Sequence, residues 1–145
     1  MGRKVKQFLV VLLLLVVVAA GIGYYAYNKG PLDIQHSKSI KATATELYTL
    51  YSTDSVSAQK NYSGKIIEVT GFVTEVSQNL QNEKIILLQT STPGAYINCT
   101  MEGLAGEIKP NETIVLKGLC SGMGQGDPDL GIKGDVYLTR CFIIK

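Results

Sequence analysis

Alternation of apolar and polar residues is clearest over residues 65–76. Ile67, Val69 and Val73 fall on one face of an extended chain, and the residues between them are mostly polar. This period of two predicts a half-buried strand. The glycine at its centre, Gly71, indicates a bend, a bulge or a close approach of backbones. A long strand bent at its middle can serve two sheet faces, as a small closed barrel requires.

The later apolar runs predict four more strands, with one helical turn within 102–111 between the third and fourth strands of the set. They lie at 84–90, 95–101, 113–120 and 135–145. A second mid-strand glycine, Gly118, repeats the feature at Gly71. A shift of the apolar face in the last run predicts a bulge near Thr139 and Arg140. This order of elements is that of an OB-fold, a five-stranded Greek-key barrel of the mainly β class.

Helical spacing predicts a short helical preface before these strands. Thr43 and Glu46 fit a capping box at the start of one helix. Asp54 is placed to cap a second short helix, and Ser63 with Gly64 predicts where that helix ends. Tyrosines at helical spacing in such a preface more often pack against a barrel than form a stacking platform for a ligand.

The first apolar segment predicts a single membrane anchor. Residues Phe8 to Tyr27 are twenty positions without a charge, enough to span a hydrocarbon core of roughly 30 Å. Arg3, Lys4 and Lys6 precede the segment, so the positive-inside bias places the rest of the chain outside the cytosol. A signal peptide cleaved before Gly21 is the alternative. Because the segment has no cysteine, a lipid-anchored lipoprotein is excluded.

The chain therefore divides into three predicted parts. Residues 1–28 are a cytoplasmic basic tip and transmembrane anchor, 29–41 a polar linker, and 42–145 the OB-fold domain. His36, the chain's one histidine, falls in the linker and is interpreted as a solvated side chain.

Charge is distributed unevenly along the chain. The formal net charge is +2, but residues 30–145 contain ten basic and twelve acidic residues, a net of −2. Proteins that bind nucleic acid through its phosphates rely on clustered Lys and Arg. The folded part lacks that excess, which disfavours nucleic acid as its ligand.

Three cysteines are predicted to face the barrel interior: Cys99, Cys120 and Cys141. Their spacing is not that of a metal site, and no histidine is available to activate a nucleophilic cysteine. No metal, cofactor or catalytic residue is predicted. If the last hairpin loop spans 127–134, Cys120 lies opposite Cys141 and the two could form a disulfide outside the cytosol. A loop spanning 121–134 would separate them, so three buried free thiols remain the other alternative.

Two outward-facing aromatic residues, Phe72 and Tyr96, are the first candidates for ligand binding, because they could stack on bases or sugars. The helical preface could equally cover them. Lys65, Lys84 and Lys133 complete the candidate set, although they are scattered rather than arranged in a stripe. The glycine-rich stretch 121–134 is interpreted as a flexible loop bordering the binding face, since a phosphate loop would need a helix after it.

The sequence also resembles the tRNA-anti-like OB-fold family. The residues that carry the resemblance are Leu47-Tyr48, Tyr51, Asp54, Ala58, Tyr62-x-Gly64-Lys65, Val69-x-Gly71-x-Val73, Ile97-x-Cys99, Leu116-Lys117-Gly118-x-Cys120-x-Gly122 and Asp135-Val136-x-Leu138-x-x-Cys141. The resemblance implies an OB barrel in an exported or membrane-anchored bacterial protein and kinship with nucleic-acid-binding barrels. It supplies no catalytic residues.

We therefore expect a non-enzymatic, single-pass protein of the bacterial inner membrane whose C-terminal domain lies in the periplasm or outside the cell. Its expected ligand is a protein, a glycan or another envelope component. The alternative is a nucleic-acid-binding OB-fold protein.

Overall fold

The computed structural model describes residues 2–28, 30, 33–103 and 106–144. The chain divides into two compact units, Met1–Leu32 and Asp33–Lys145. The first contains helix α1 (Arg3–Asn28), in which no residue is buried. By length and composition α1 can cross a membrane, and a signal sequence near an N-terminus has the same properties.

The second unit is a closed barrel with two helices before its long strand. Its elements are β1 (Ile40–Thr43), α2 (Ala44–Thr53), α3 (Ser55–Tyr62), β2 (Ile66–Gln78), β3 (Lys84–Gln89), β4 (Tyr96–Met101), β5 (Thr113–Met123) and β6 (Val136–Ile143). The strand order is β1-β2-β3-β4-β6-β5, and a further pairing of β2 with β5 closes the sheet. The predicted five-stranded OB barrel is confirmed, with β1 as an additional strand. The described residues between β4 and β5 contain no helix; residues 104 and 105, within the stretch predicted to hold a helical turn, lie outside the described part.

The long strand β2 changes its antiparallel partner at its middle, and its first half also pairs in parallel with β1. Its first half, Ile66–Phe72, pairs with β5, and its second half, from Val73 to Gln78, pairs with β3. Gly71 lies where this change occurs. A Cβ there would come within 3.0 Å of Leu88 and 3.1 Å of Ala44, so its absence lets α2 and β3 approach the strand.

Gly118 allows a similar close approach, here between β5 and β6. A Cβ on Gly118 would lie 2.5 Å from the Cys141 sulfur. The predicted bulge near Thr139 and Arg140 is confirmed: the β5–β6 register shifts in this region, and Arg140 has a left-handed φ of 52°. The bulge turns the Cys141 side chain toward the space that Gly118 leaves open.

The segment predicted as a linker belongs largely to the barrel unit. Ile40–Thr43 forms β1, which pairs in parallel with β2. Ile34 is only 1% exposed, and Lys117 of β5 donates a hydrogen bond to the backbone oxygen of Gln35 at 3.3 Å. Residues 29, 31 and 32 lie outside the described part. An isolated apolar residue in a polar segment gives no periodic signal, so the docking of Ile34 was not predictable from pattern.

The helical preface follows its sequence signals. Thr43 and Glu46 form the predicted capping box at the start of α2, and Asp54 caps α3. Tyr48 and Tyr51 are 4% and 1% exposed, which agrees with their interpretation as packing residues. The Tyr51 hydroxyl is hydrogen-bonded to the Ser63 hydroxyl at 2.9 Å and lies 3.3 Å from the Cys120 sulfur, so it links both helices to β5.

The three cysteines are buried and free. In the observed register Cys120 lies opposite Leu138 rather than Cys141. The hairpin is tighter than a 127–134 loop, because Asp127 pairs with Ile132 and Met123 with Val136, and the bulge between Cys120 and Gly122 then shifts the register by one more residue. The register counted from the hairpin loop is therefore wrong, and the structure corresponds to the alternative of three buried thiols.

Candidate ligand-binding groove

Side chains that point away from the barrel interior on β3 and β4 form a continuous outer face. Cross-strand pairing places Leu87 beside Asn98, and Gln89 beside Tyr96. Parallel pairing of β4 with β6 then places Asn98 beside Tyr137. Both β3 and β4 have a hydrogen-bonded neighbour on each side, and the pairing of β3 with β2 ends at Leu88.

Phe72 and Tyr96 line the same cavity, which has a volume of about 250 Å³. Phe72 comes from the middle of β2 and Tyr96 from the start of β4, and the turn between β3 and β4 forms one wall. Phe72 is 39% exposed and Tyr96 is half-buried, so the helical preface does not cover either ring completely. The other lining residues are Thr74, Gln89, Thr90, Ser91, Thr92, Pro93, Gly94, Ala95 and Asn111.

A second cavity of about 240 Å³ adjoins the first. The two share Phe72, Gln89, Thr90 and Ser91, and the second extends to residues 43–45 at the start of α2. We call the two together the Phe72–Tyr96 groove. It joins residues from the barrel, the β3–β4 turn and the helical preface.

The β3–β4 turn that forms this wall is fixed by Thr90, which is only 7% exposed. The Thr90 hydroxyl donates to the Ala95 carbonyl at 2.7 Å and accepts a hydrogen bond from the Thr92 N–H at 3.2 Å. Gly94 adopts a left-handed φ of 77°, which glycine accommodates at little cost. These bonds hold the wall in shape without a ligand.

None of the residues that line the Phe72–Tyr96 groove is Asp, Glu, Lys, Arg or His. Two carboxylates lie next to lining residues. Asp135 accepts a hydrogen bond from the Tyr96 N–H at 3.0 Å, and Glu112 follows Asn111 in the chain. Burial raises the pKa of the Asp135 carboxyl, against the opposing effect of hydrogen bonds from Tyr96 and Asn98. Negative charge next to an uncharged groove disfavours phosphate there.

The three candidate lysines lie elsewhere. Lys65 is exposed between α3 and β2, and its carbonyl accepts a hydrogen bond from the Cys120 N–H. The Lys84 ammonium donates to the Gly106 carbonyl at 3.2 Å. Lys133 is exposed in the connection between β5 and β6. None of them lines the groove, so the structure unites the two aromatic candidates and separates the basic ones.

The glycine-rich connection between β5 and β6 is a hydrogen-bonded hairpin. Asp127 and Ile132 exchange backbone hydrogen bonds of 2.8 Å, and the Asp127 carboxylate accepts from the N–H groups of Asp129 and Leu130. The groove is bordered by the β3–β4 turn instead of this hairpin. Among the described residues, no three His, Cys, Asp or Glu residues are grouped so that they could hold a metal ion.

Sequence reasoning did not identify the polar lining residues. Gln89 ends an apolar run, and Ser91 directly follows the predicted strand at 84–90. Asn111 precedes β5 and is far from both in sequence. The one local signal was that each lies at or near the end of a strand, where binding residues are common, but nothing local indicates that the three meet at one site.

Comparisons with known proteins agree with this architecture. The chain is similar in structure to a protein from Klebsiella pneumoniae subsp. pneumoniae MGH 78578 described as a "putative nucleic acid-binding lipoprotein". The TM-score is 0.55 at 11% sequence identity, and the match covers 80% of this chain and 100% of that one. Among curated proteins, none matches this chain in sequence. The tRNA_anti-like sequence profile matches residues 1–130, and the chain therefore belongs to the tRNA_anti-like family.

Proposed function

We propose that this chain is a membrane-anchored, non-enzymatic OB-fold module that binds a protein, a glycan or another envelope component on the outer side of a bacterial membrane. The observation that carries the proposal is that Phe72 and Tyr96, from different strands, line one cavity beside a rigid turn. Concave sites with aromatic walls and a few polar groups are typical of ligand-binding pockets.

The proposed location rests on the N-terminal segment. Helix α1 has the length and composition of a membrane span, and Arg3, Lys4 and Lys6 near its start favour a cytoplasmic N-terminus. A membrane-impermeant maleimide tests this in intact cells or spheroplasts. A cysteine introduced at exposed Ser57 on α3 is expected to be labelled from outside, whereas the three native cysteines are buried. Labelling only after the membrane is opened would refute the location.

Site-specific photocrosslinking tests the binding site. A benzophenone residue at Ser91, inside the groove, is expected to give a covalent product in cells. The same residue at exposed Ser57 serves as the control position. The product is expected to fall about tenfold when either Phe72→Ala or Tyr96→Ala is added, because a stacking surface is lost. Equal products at both positions, or a product that survives both substitutions, would refute binding at the groove.

Nucleic acid is the second candidate, favoured by the family kinship and by the description of the Klebsiella protein. The net charge of −2 over residues 30–145 and the carboxylates beside the groove oppose it. Fluorescence anisotropy of a labelled single-stranded oligonucleotide decides between the two. We expect no binding at low salt. Binding that weakens steeply as salt increases would favour the nucleic-acid candidate, because it would report release of counterions from phosphates.

A further inference from the structure

We propose that the ligand of the Phe72–Tyr96 groove is an uncharged glycan. This inference rests on the proposed function, since it names the ligand class of the same site. Three features of the groove favour such a ligand: the hydrogen-bonding groups of the lining, its charge, and the pairing of the strands beneath it.

The lining offers groups that match sugar hydroxyls. Gln89 and Asn111 carry side-chain amides, and Ser91 and Thr74 carry hydroxyls; all four are exposed. Amides and hydroxyls both donate and accept hydrogen bonds, as the hydroxyl groups of a sugar do. The Phe72 and Tyr96 rings supply apolar surface for the C–H face of a sugar ring, and the tyrosine hydroxyl adds a polar end.

Charge disfavours the commonest anionic alternatives. A phosphate, a uronic acid or a sialic acid would enter a groove with no lysine, arginine or histidine in its lining. It would also approach Asp135, whose carboxylate is hydrogen-bonded to the Tyr96 N–H at the groove wall, and Glu112 beside Asn111. Like charges in a partly desolvated site repel one another.

Strand pairing disfavours an extended peptide. Peptides that bind to sheets usually add as a strand, through the free N–H and C=O groups of an edge. Beneath the groove β3 pairs with β4 as far as Gln89 and with β2 as far as Leu88, and the end strand of the sheet is β1, which has four residues and ends at Thr43 in the groove lining. A peptide would find only this short edge to pair with, whereas a glycan needs only the side chains. The fixed β3–β4 turn lowers the ordering cost of binding.

The experiment uses the full chain in lipid nanodiscs, which avoids sugar-based detergents. Binding is measured on a panel of uncharged oligosaccharides printed beside their sialylated, uronic-acid and phosphorylated counterparts, and hits are confirmed by calorimetry. We expect an uncharged member to bind with a Kd that stays constant as salt increases, because screening acts on charges. Phe72→Ala and Tyr96→Ala should each weaken it about tenfold.

Tyr137→Ala is the matched control, because Tyr137 is 40% exposed, almost the same as Phe72, and does not line the groove. It should leave the Kd unchanged. Preference for a charged member, equal loss in the control, or no binding to any uncharged member would overturn the glycan inference. If the groove crosslink at Ser91 persists and depends on Phe72 while no glycan binds, the binding site stands and only the ligand class is wrong. If the crosslink also fails, the proposed function fails with it.

Discussion

Gly118→Ala is expected to destabilise the barrel by steric overpacking, although an alanine would be conformationally acceptable at this position. Gly118 lies in β5 and lacks the left-handed φ that would itself require glycine. A Cβ there would instead lie 2.5 Å from the Cys141 sulfur, 3.2 Å from the Thr139 carbonyl oxygen and 3.4 Å from the Cys141 Cα. The sulfur contact is too short to persist, so either the side chain or the strand must move.

The size of the effect follows from these contacts. Overpacking of a closely packed core costs about 1–3 kcal/mol. Removing the sulfur with Cys141→Ala alone costs about 1 kcal/mol, a typical value for a small buried truncation. In the double variant the added methyl occupies the space of the missing sulfur, so the two costs do not add. We expect a favourable coupling energy of about 1–2 kcal/mol, within the range for residues in contact. The Thr139 oxygen at 3.2 Å leaves some cost unrelieved.

Urea unfolding of the full chain in nanodiscs, followed by tyrosine fluorescence, measures the four free energies of this cycle. Gly106→Ala is the control substitution, because a Cβ there meets nothing within 4 Å. It should change stability by less than about 0.5 kcal/mol. Additive costs for Gly118→Ala and Cys141→Ala would refute the close approach, and so would a Gly118→Ala variant as stable as the parent.

Three further predictions concern stability. Ile34→Ala should lower the free energy of unfolding by about 2–5 kcal/mol, because the side chain is 1% exposed. Gln35→Ala, at an exposed neighbouring position, should leave the free energy of unfolding unchanged. Equal stability of the two variants would show that the segment is a free tether. Tyr51→Phe should cost about 1 kcal/mol at neutral pH. Burial raises the pKa of Tyr51 to about 12 from 10.0, so the protonated hydroxyl stabilises the parent fully below pH 10.0, and the parent loses stability as pH rises through 12. Its free energy of unfolding should therefore fall to and below that of Tyr51→Phe in that window, and a constant difference between the two would contradict this. Asp135→Asn should stabilise the barrel at neutral pH. Burial raises the pKa of the Asp135 carboxyl above 3.8, so the protonated carboxyl stabilises the folded state below that pH, and this stabilisation is lost as pH rises through the folded-state pKa. The same dependence of the free energy of unfolding on pH in both proteins, over this acid range, would contradict the prediction.

Local signals predicted much of the fold. The period of two over residues 65–76 predicted β2, and the capping box at Thr43 and Glu46 predicted the start of α2. Both depend on residues within one turn or one strand of each other. The extra strand β1 was missed because its four residues are too few to show a period, and its identity as a strand depends on β2 beside it.

The candidate groove was predicted in part. Outward-facing positions for Phe72 and Tyr96 follow from strand alternation. That they share one cavity does not, because it depends on how β2, β3 and β4 are aligned and on the turn fixed by Thr90. The lysines were included for charge alone, and charge carries no information about which end of a barrel a residue reaches.

The sequence by itself determined the apolar N-terminal segment, the number of barrel strands, the helix caps and the negative balance of the folded part. These properties are set by each residue and its near neighbours along the chain. Tertiary structure decided the β5–β6 register that places Cys120 opposite Leu138, the docking of Ile34, and the meeting of Phe72 with Tyr96. Each depends on bulges and on barrel closure, which bring together segments far apart in sequence and leave no periodic trace within any one of them.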